Sequence, residues 1–121
     1  GYFADVDLSI TSAYVKLGTH LTNTTEQTDT ISNIENIIGS SGDDILKGNA
    51  ESNTISGGLG SDTISGGLGN DKLIGNAGND VFVDISFTGD AVDGAEDNDT
   101  IDYRNVTSKI TLVLEDNGAT T

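Results

Sequence analysis

Between Gly39 and Val83 the chain repeats with a period of nine residues, five times in succession. The copies are GSSGDDILK, GNAESNTIS, GGLGSDTIS, GGLGNDKLI and GNAGNDVFV. Glycine opens each copy, an acid or its amide fills the sixth place, and Leu46, Ile55, Ile64, Leu73 and Phe82 fill the eighth. The first six places must reverse the chain in a tight arc. Glycine permits this through φ > 0, and Asp or Asn tolerates the same region while bonding its own backbone. The last three places form a short strand whose middle side chain points one way and its neighbours the other. Two such units per coil, stacked on one another, give a flattened solenoid with a parallel sheet on either side and the eighth-place residues inside. The fold class expected is all-β, a right-handed parallel β-roll with flanking β-strand coils.

One apolar side chain per nine residues is a thin core. Burying it contributes about 1.5–3 kcal/mol, well below the entropy lost in ordering nine residues. The charge makes the deficit worse. With 20 acids against 5 bases the chain carries −15, and it has only six aromatic residues. That balance disfavours nucleic acid and anionic membrane as partners and favours cations. Without neutralisation it is a composition of disorder. Small-residue turns aim main-chain carbonyls inward, and the sixth-place carboxylate adds hard anionic oxygen. Six to eight oxygens at flexible geometry suit Ca²⁺ better than Mg²⁺ or a transition metal. No single turn supplies enough oxygen, so each ion is expected between two turns stacked on one edge, 18 residues apart. Folding is then expected to depend on calcium.

Outside the repeats the signals are weaker. Three stretches follow: 1–38 as N-terminal flanking β coils, 39–83 as the repeats, and 84–121 as a degenerate repeat with C-terminal strands. Ala13–Leu17 and Ile110–Leu114 alternate as strands do. Thr30–Ile38 places Ile at 31, 34 and 37, a spacing open to helix or coil; the shared TIS favours a coil. Asp84–Asp93 is ten residues long and breaks the register, so it is either a bulged coil whose Asp84, Asp90 or Asp93 still binds or a solvated loop. A shift of 95 residues lays Val6-Asp7-Leu8 on Ile101-Asp102-Tyr103 and Val15 on Ile110, as if a further unit began there. No cysteine is present, so no disulfide or thiol chemistry is available. No apolar run is long enough for a membrane helix, and GYFADVDLSI lacks the features of a signal peptide.

The five copies closely resemble the RTX, or hemolysin-type, calcium-binding nonapeptide repeat, and Gly94–Asp102 reads as a degenerate sixth copy. The resemblance implies a β-roll in which calcium takes carbonyls of places two and four plus the acid of one turn. The next turn on that edge adds carbonyls of places one and three plus its own acid. One implied site joins Ser40, Gly42 and Asp44 to Gly57, Leu59 and Asp62. A second joins Gly58, Gly60 and Asp62 to Gly75, Ala77 and Asp80. On the opposite edge Asn49, Glu51 and Asn53 meet Gly66, Leu68 and Asp71. Further implied sites use Asn76, Gly78 and Asp80 with Gly94, Glu96 and Asp99, or Gly67, Gly69 and Asp71 with the stretch 84–93. About four calcium ions are expected. Asn53 and Glu51 depart from the pattern and are expected to weaken or reshape their site. The family also implies a bacterial protein exported by a type I system to the extracellular medium, within which this chain is one stretch beside neighbouring repeat modules. The uncleaved export signal of that system is not evident in LEDNGATT.

Other chemistry has little support. His20 is the single histidine and has no placed partner for nucleophilic catalysis. Acid pairs such as Asp43-Asp44 are better read as turn and calcium residues than as a glycosidase couple. The glycine-rich turns lack the Gly-Lys-Ser/Thr of a phosphate loop. The chain is not expected to be an enzyme. Two other readings stay open. An adhesive module would bind a polysaccharide or cell-surface ligand through a flat face, although the third places (Ser41, Ala50, Leu59, Leu68, Ala77) form no uniform ladder. An accessory module would serve a polysaccharide-modifying enzyme or protease whose catalytic part lies elsewhere.

Overall fold

The structure is a computed structural model that describes residues 2–7, 14–19, 33–83, 89–107, 109 and 111. Of 2–7 and 14–19 it gives the backbone path, with the Val6 side chain. His20, Ile31, Asp84 and the expected strand at Ile110–Leu114, Thr111 apart, lie outside the described residues.

Each nonapeptide becomes a turn followed by a short strand, as the division of labour between its small and apolar places requires. The repeat strands are β4 (Ile45–Lys47), β5 (Thr54–Leu59), β6 (Thr63–Ser65), β7 (Lys72–Ala77) and β8 (Val81–Val83). Upstream lie β1 (Tyr2–Asp7), β2 (Tyr14–Thr19) and β3 (Asn36–Ile38); downstream lie β9 (Ala91–Ala95) and β10 (Thr100–Asp102). Among the described residues no helix forms, and none is long and apolar enough to cross a membrane.

Odd and even copies go to opposite sheets, because two nonapeptides complete one coil. One sheet runs β10-β8-β6-β4-β1-β2 and the other β3-β5-β7-β9. Within the repeats every pairing is parallel and 18 residues out of step, Leu46 beside Ile64 and Ile55 beside Leu73. This is a parallel β-solenoid of about three coils. Its interior is two facing columns of eighth-place side chains. Leu46, Ile55, Ile64, Leu73 and Phe82 are all but completely buried, with Val6 and Ile37 extending the columns. Ile38, at the ninth place of its coil, is 82% exposed, as strand alternation demands.

The flanks bear on two open points. Thr30–Ile38 is a coil over its described part: Ile37 pairs with Ile55 and enters the core, while Ile34 stays outside. The ten-residue stretch 84–93 is described only from Gly89, where it rejoins the stack, Asp90 Oδ1 accepting the Asp71 N–H. Beyond it the pairing is 19 out of step on both sheets, Lys72 beside Ala91 and Val81 beside Thr100. One flank departs from a simple coil. β1 pairs parallel with β4, Val6 beside Leu46, but β2 pairs antiparallel with β1, Val6 beside Val15. An alternating strand pattern states which face is buried and says nothing about the direction of its neighbour.

Because each coil adds one side chain to each column, single truncations should be costly. Ile64→Ala is expected to lower the unfolding free energy in saturating calcium by about 2–5 kcal/mol. Ile38→Ala, on the outer face, should change it by less than about 0.5 kcal/mol. Urea denaturation followed by far-ultraviolet circular dichroism measures both.

Candidate metal centre

The turns stack in two columns, one along each edge of the solenoid. Turns 39–44, 57–62, 75–80 and 94–99 share one edge; turns 48–53, 66–71 and the one ending at Asp90 share the other. Inside each column the sixth-place side chain is turned inward: Asp44, Asn53, Asp62, Asp71 and Asp80 are no more than 2% exposed. One carboxylate oxygen is then used to join successive turns. Asp62 Oδ1 accepts the Asp44 N–H at 2.8 Å, Asp71 Oδ1 the Asn53 N–H at 2.8 Å, and Asp80 Oδ1 the Asp62 N–H at 2.8 Å. Asp99 Oδ1 continues one column from the Asp80 N–H at 3.0 Å, and Asp90 Oδ1 the other from the Asp71 N–H at 2.9 Å.

The second oxygen is different. Oδ2 of Asp62, Asp71 and Asp80 is buried and has no hydrogen-bond partner. It lies over the glycine that opens its own turn. A Cβ added to Gly57 would sit 2.2 Å from Asp62 Oδ2 and 2.8 Å from the carbonyl oxygen of Gly75 in the next turn. At Gly75 the distances are 2.1 Å to Asp80 Oδ2 and 2.8 Å to the Gly94 carbonyl oxygen. The same convergence occurs at Gly39 with Asp44 and Gly57, and at Gly48 with Asn53 and Gly66. First-place glycine is therefore the absence of a side chain where two oxygens meet.

More oxygen enters each gap from the preceding turn. The carbonyls of Ser40 and Gly42 face Gly58 and Gly60, those of Asn49 and Glu51 face Gly67 and Gly69, and that of Gly60 faces Gly78. Places two and four thus point forward and place one points back. Ala77, at place three, also points back, its carbonyl accepting the Gly60 N–H at 3.0 Å. The Asn76 carbonyl accepts the Glu96 N–H at 2.9 Å across the last gap. Leu59 and Leu68 lie in the same stacked turns with exposed side chains. Among the described residues no three His, Cys, Asp or Glu side chains converge on a metal position. A cation in these gaps must draw on the main chain, which is the hard, all-oxygen donor set that calcium accepts. The orphaned carboxylate oxygens and the side-chain-free cradles beside them fit that ion.

Electrostatics point the same way. Burial raises the Asp62 carboxyl to about 6, opposed by the Asp44 N–H and helped by the carboxylates of Asp44, Asp80 and Asp43. Asp71 and Asp80 are also raised, mainly by burial and further by Asp90, and by Asp99 and Asp97, respectively. Asp62, Asp71 and Asp80 are thus carboxylates held out of water beside other acids.

Residues 29–64, 38–73 and 57–83 match the family described as RTX calcium-binding nonapeptide repeat (4 copies). The repeats are RTX calcium-binding repeats. No curated protein matches the chain. The RTX identity accounts for the oxygen-lined gaps, and the RTX register extends beyond the matched stretch into turn 94–99. There Ala95 and Asp97 adopt φ of 73° and 75°, the left-handed conformation that Gly58 and Gly60 adopt in an inner turn.

A reading of the sequence leaves two residues of this site without a fixed role. Asp90, one of three acids it offers in the stretch 84–93, takes the sixth-place role, its Oδ1 accepting the Asp71 N–H. The signal available was the equal spacing of 19 from Asp71 to Asp90 and from Asp80 to Asp99. Asp97 stands at a fourth place and accepts the Gly78 N–H at 3.1 Å. An outer ladder at the fifth places was also unforeseen: Asp43 Oδ1 accepts the Ser61 N–H at 2.8 Å, and Asn79 Oδ1 the Asn98 N–H at 3.0 Å.

Gly57→Ala should push its methyl against Asp62 Oδ2 and weaken calcium binding by roughly tenfold or more, measured by calorimetric titration. The raised carboxyls also fix a pH dependence. A group whose folded pKa exceeds its unfolded value of 3.8 favours the folded state most below 3.8, and that advantage is lost as pH rises through about 6. In chelator, β-structure should therefore grow as pH falls from 7 towards 4, whereas calcium affinity should rise with pH over the same window. Circular dichroism with and without chelator distinguishes the two.

Proposed function

We propose that this chain is a calcium-dependent folding module of a larger secreted bacterial protein, and that it has no catalytic activity of its own. The observation that carries the proposal is the set of fully buried, partnerless Oδ2 atoms of Asp62, Asp71 and Asp80, those of Asp62 and Asp80 converging with the first-place carbonyl of the next turn. When bound, calcium supplies positive charge and a coordination shell for these oxygens. Among the described residues five inter-turn gaps are bridged by a sixth-place side chain. Four of them carry an acid on both sides, and the fifth has Asn53 on one side. That count supports about four ions.

At low calcium the chain, with its charge of −15, is held open by self-repulsion. At the millimolar calcium outside a cell the columns are neutralised and the coils close. RTX repeats are typical of secreted bacterial proteins, and such a chain would leave the cell unfolded and fold on arrival. The flanking strands then join it to neighbouring modules of the parent protein.

A calcium titration from chelator, followed by circular dichroism with ion stoichiometry measured alongside, tests this. Cooperative gain of β-structure on binding is expected from the paired gaps, with about four ions held at saturation. A chain fully folded in chelator at neutral pH would overturn the folding switch, and absence of uptake would overturn the calcium module.

A further inference from the structure

The nonapeptide turns are of two kinds. In the inner turns 57–62, 66–71 and 75–80 the second place is left-handed: Gly58 at φ 121°, Gly67 at 92° and Asn76 at 80°. Their sixth-place Oδ2 atoms are the partnerless ones. In turns 39–44 and 48–53, the first nonapeptide turn on each edge, Ser40 and Asn49 stand at the second place and do not adopt positive φ. There the second-place N–H turns in and donates to the sixth-place oxygen, Ser40 N to Asp44 Oδ2 at 2.5 Å and Asn49 N to Asn53 Oδ1 at 2.9 Å.

The side chains complete the closure. Ser40 Oγ donates to Asp44 Oδ1 at 2.8 Å, the atom that in an inner turn accepts the N–H of the turn before it. The same hydroxyl accepts the Gly42 N–H at 3.2 Å, and Asn49 Oδ1 accepts the Glu51 N–H at 2.8 Å. Asn53 Nδ2 donates to the Glu35 carbonyl oxygen, 18 residues back, at 3.3 Å. An aspartate at 53 would present an acceptor to that carbonyl instead of a donor. Both starting turns thus satisfy with their own groups the oxygens that the inner turns leave without a partner.

We propose that Ser40 and Asn49 hold the first nonapeptide turn of each edge closed in place of an ion, so that the calcium sites fill in order. The gaps opened by Asp62, Asp71 and Asp80 fill as the roll forms. The gap opened by Asp44 fills last and more weakly, because its carboxylate already has partners. This inference rests on the calcium-module reading above and concerns only the ranking of its sites.

Calorimetric calcium titration of the full chain, with circular dichroism on the same samples, tests the ranking. About three ions should enter with the gain of β-structure, followed by one at roughly tenfold weaker affinity without further spectral change. Ser40→Gly restores the inner-turn second place and removes the hydroxyl, so the weak step should tighten towards the others. Asp44→Asn should abolish the weak step while moving the folding midpoint less than about twofold, whereas Asp80→Asn should raise that midpoint at least tenfold. Four equivalent ions in the unaltered chain would overturn the ranking, as would a weak step that Ser40→Gly leaves unchanged. No ion uptake at all would instead overturn the calcium-module reading.

Discussion

A carboxylate buried in every inner turn is the constraint from which the rest of this solenoid follows. Taking such a group out of water costs several kcal/mol unless charge and hydrogen bonds replace the water. The chain meets part of that demand by spending one oxygen on the N–H of the turn before, which locks the stacking distance and the 18-residue register together. The other oxygen is left buried without a hydrogen bond, a place that a cation can fill at neutral pH. The glycine that opens each turn exists to leave that place clear. The apolar columns contribute to the coil, but they are one side chain wide. The edges and the columns therefore depend on each other: without neutral edges the columns are too thin to hold, and without the columns the carboxylates would not be buried.

Much of this was legible in the sequence because the period places each residue type in a fixed role. Leu46, Ile55, Ile64, Leu73 and Phe82 could be assigned to the interior from their eighth place alone, and the fold class followed. The carbonyls of Ser40, Gly42, Asn49, Glu51 and Gly60 face the next turn on their edge, an orientation that the stacking of small-residue turns produces. What stayed hidden had physical causes. Which of Asp84, Asp90 and Asp93 would take the sixth place was open because an insertion broke the period, although the strand pairing resumes beyond it. β2 joined the sheet antiparallel because the sequence of a strand does not encode its neighbour's direction. The distinction between starting and inner turns depends on φ at the second place, and serine or asparagine there is compatible with either form.

The exposed C-terminal edge has its own electrostatics. Arg104 clasps Asp102 through both guanidinium and main-chain nitrogen, holding that carboxyl down to about 2. Asp102 ends β10, the outermost strand of its sheet among the described residues, and the exposed charge of Arg104 at such an edge discourages unplanned strand pairing. At the other end of the repeats Asp7 lies beside Lys47 in the parallel register. Val92 and Tyr103 pack against the last layer of the core. They leave a cavity of about 390 Å³ beside Phe82 and Ile101.

The single extra residue in 84–93 has a consequence for how such chains can change. It lengthens one coil, and both sheets simply resume one residue later, with Asp90 and Asp99 back in their columns. Because each coil touches only its immediate neighbours, a length change is absorbed where it occurs and is not transmitted along the axis. A globular core, in which every element packs against several others, has no comparable freedom. Insertions and deletions confined to one edge are therefore a low-cost route by which this architecture can acquire new loops while its ion columns stay in line.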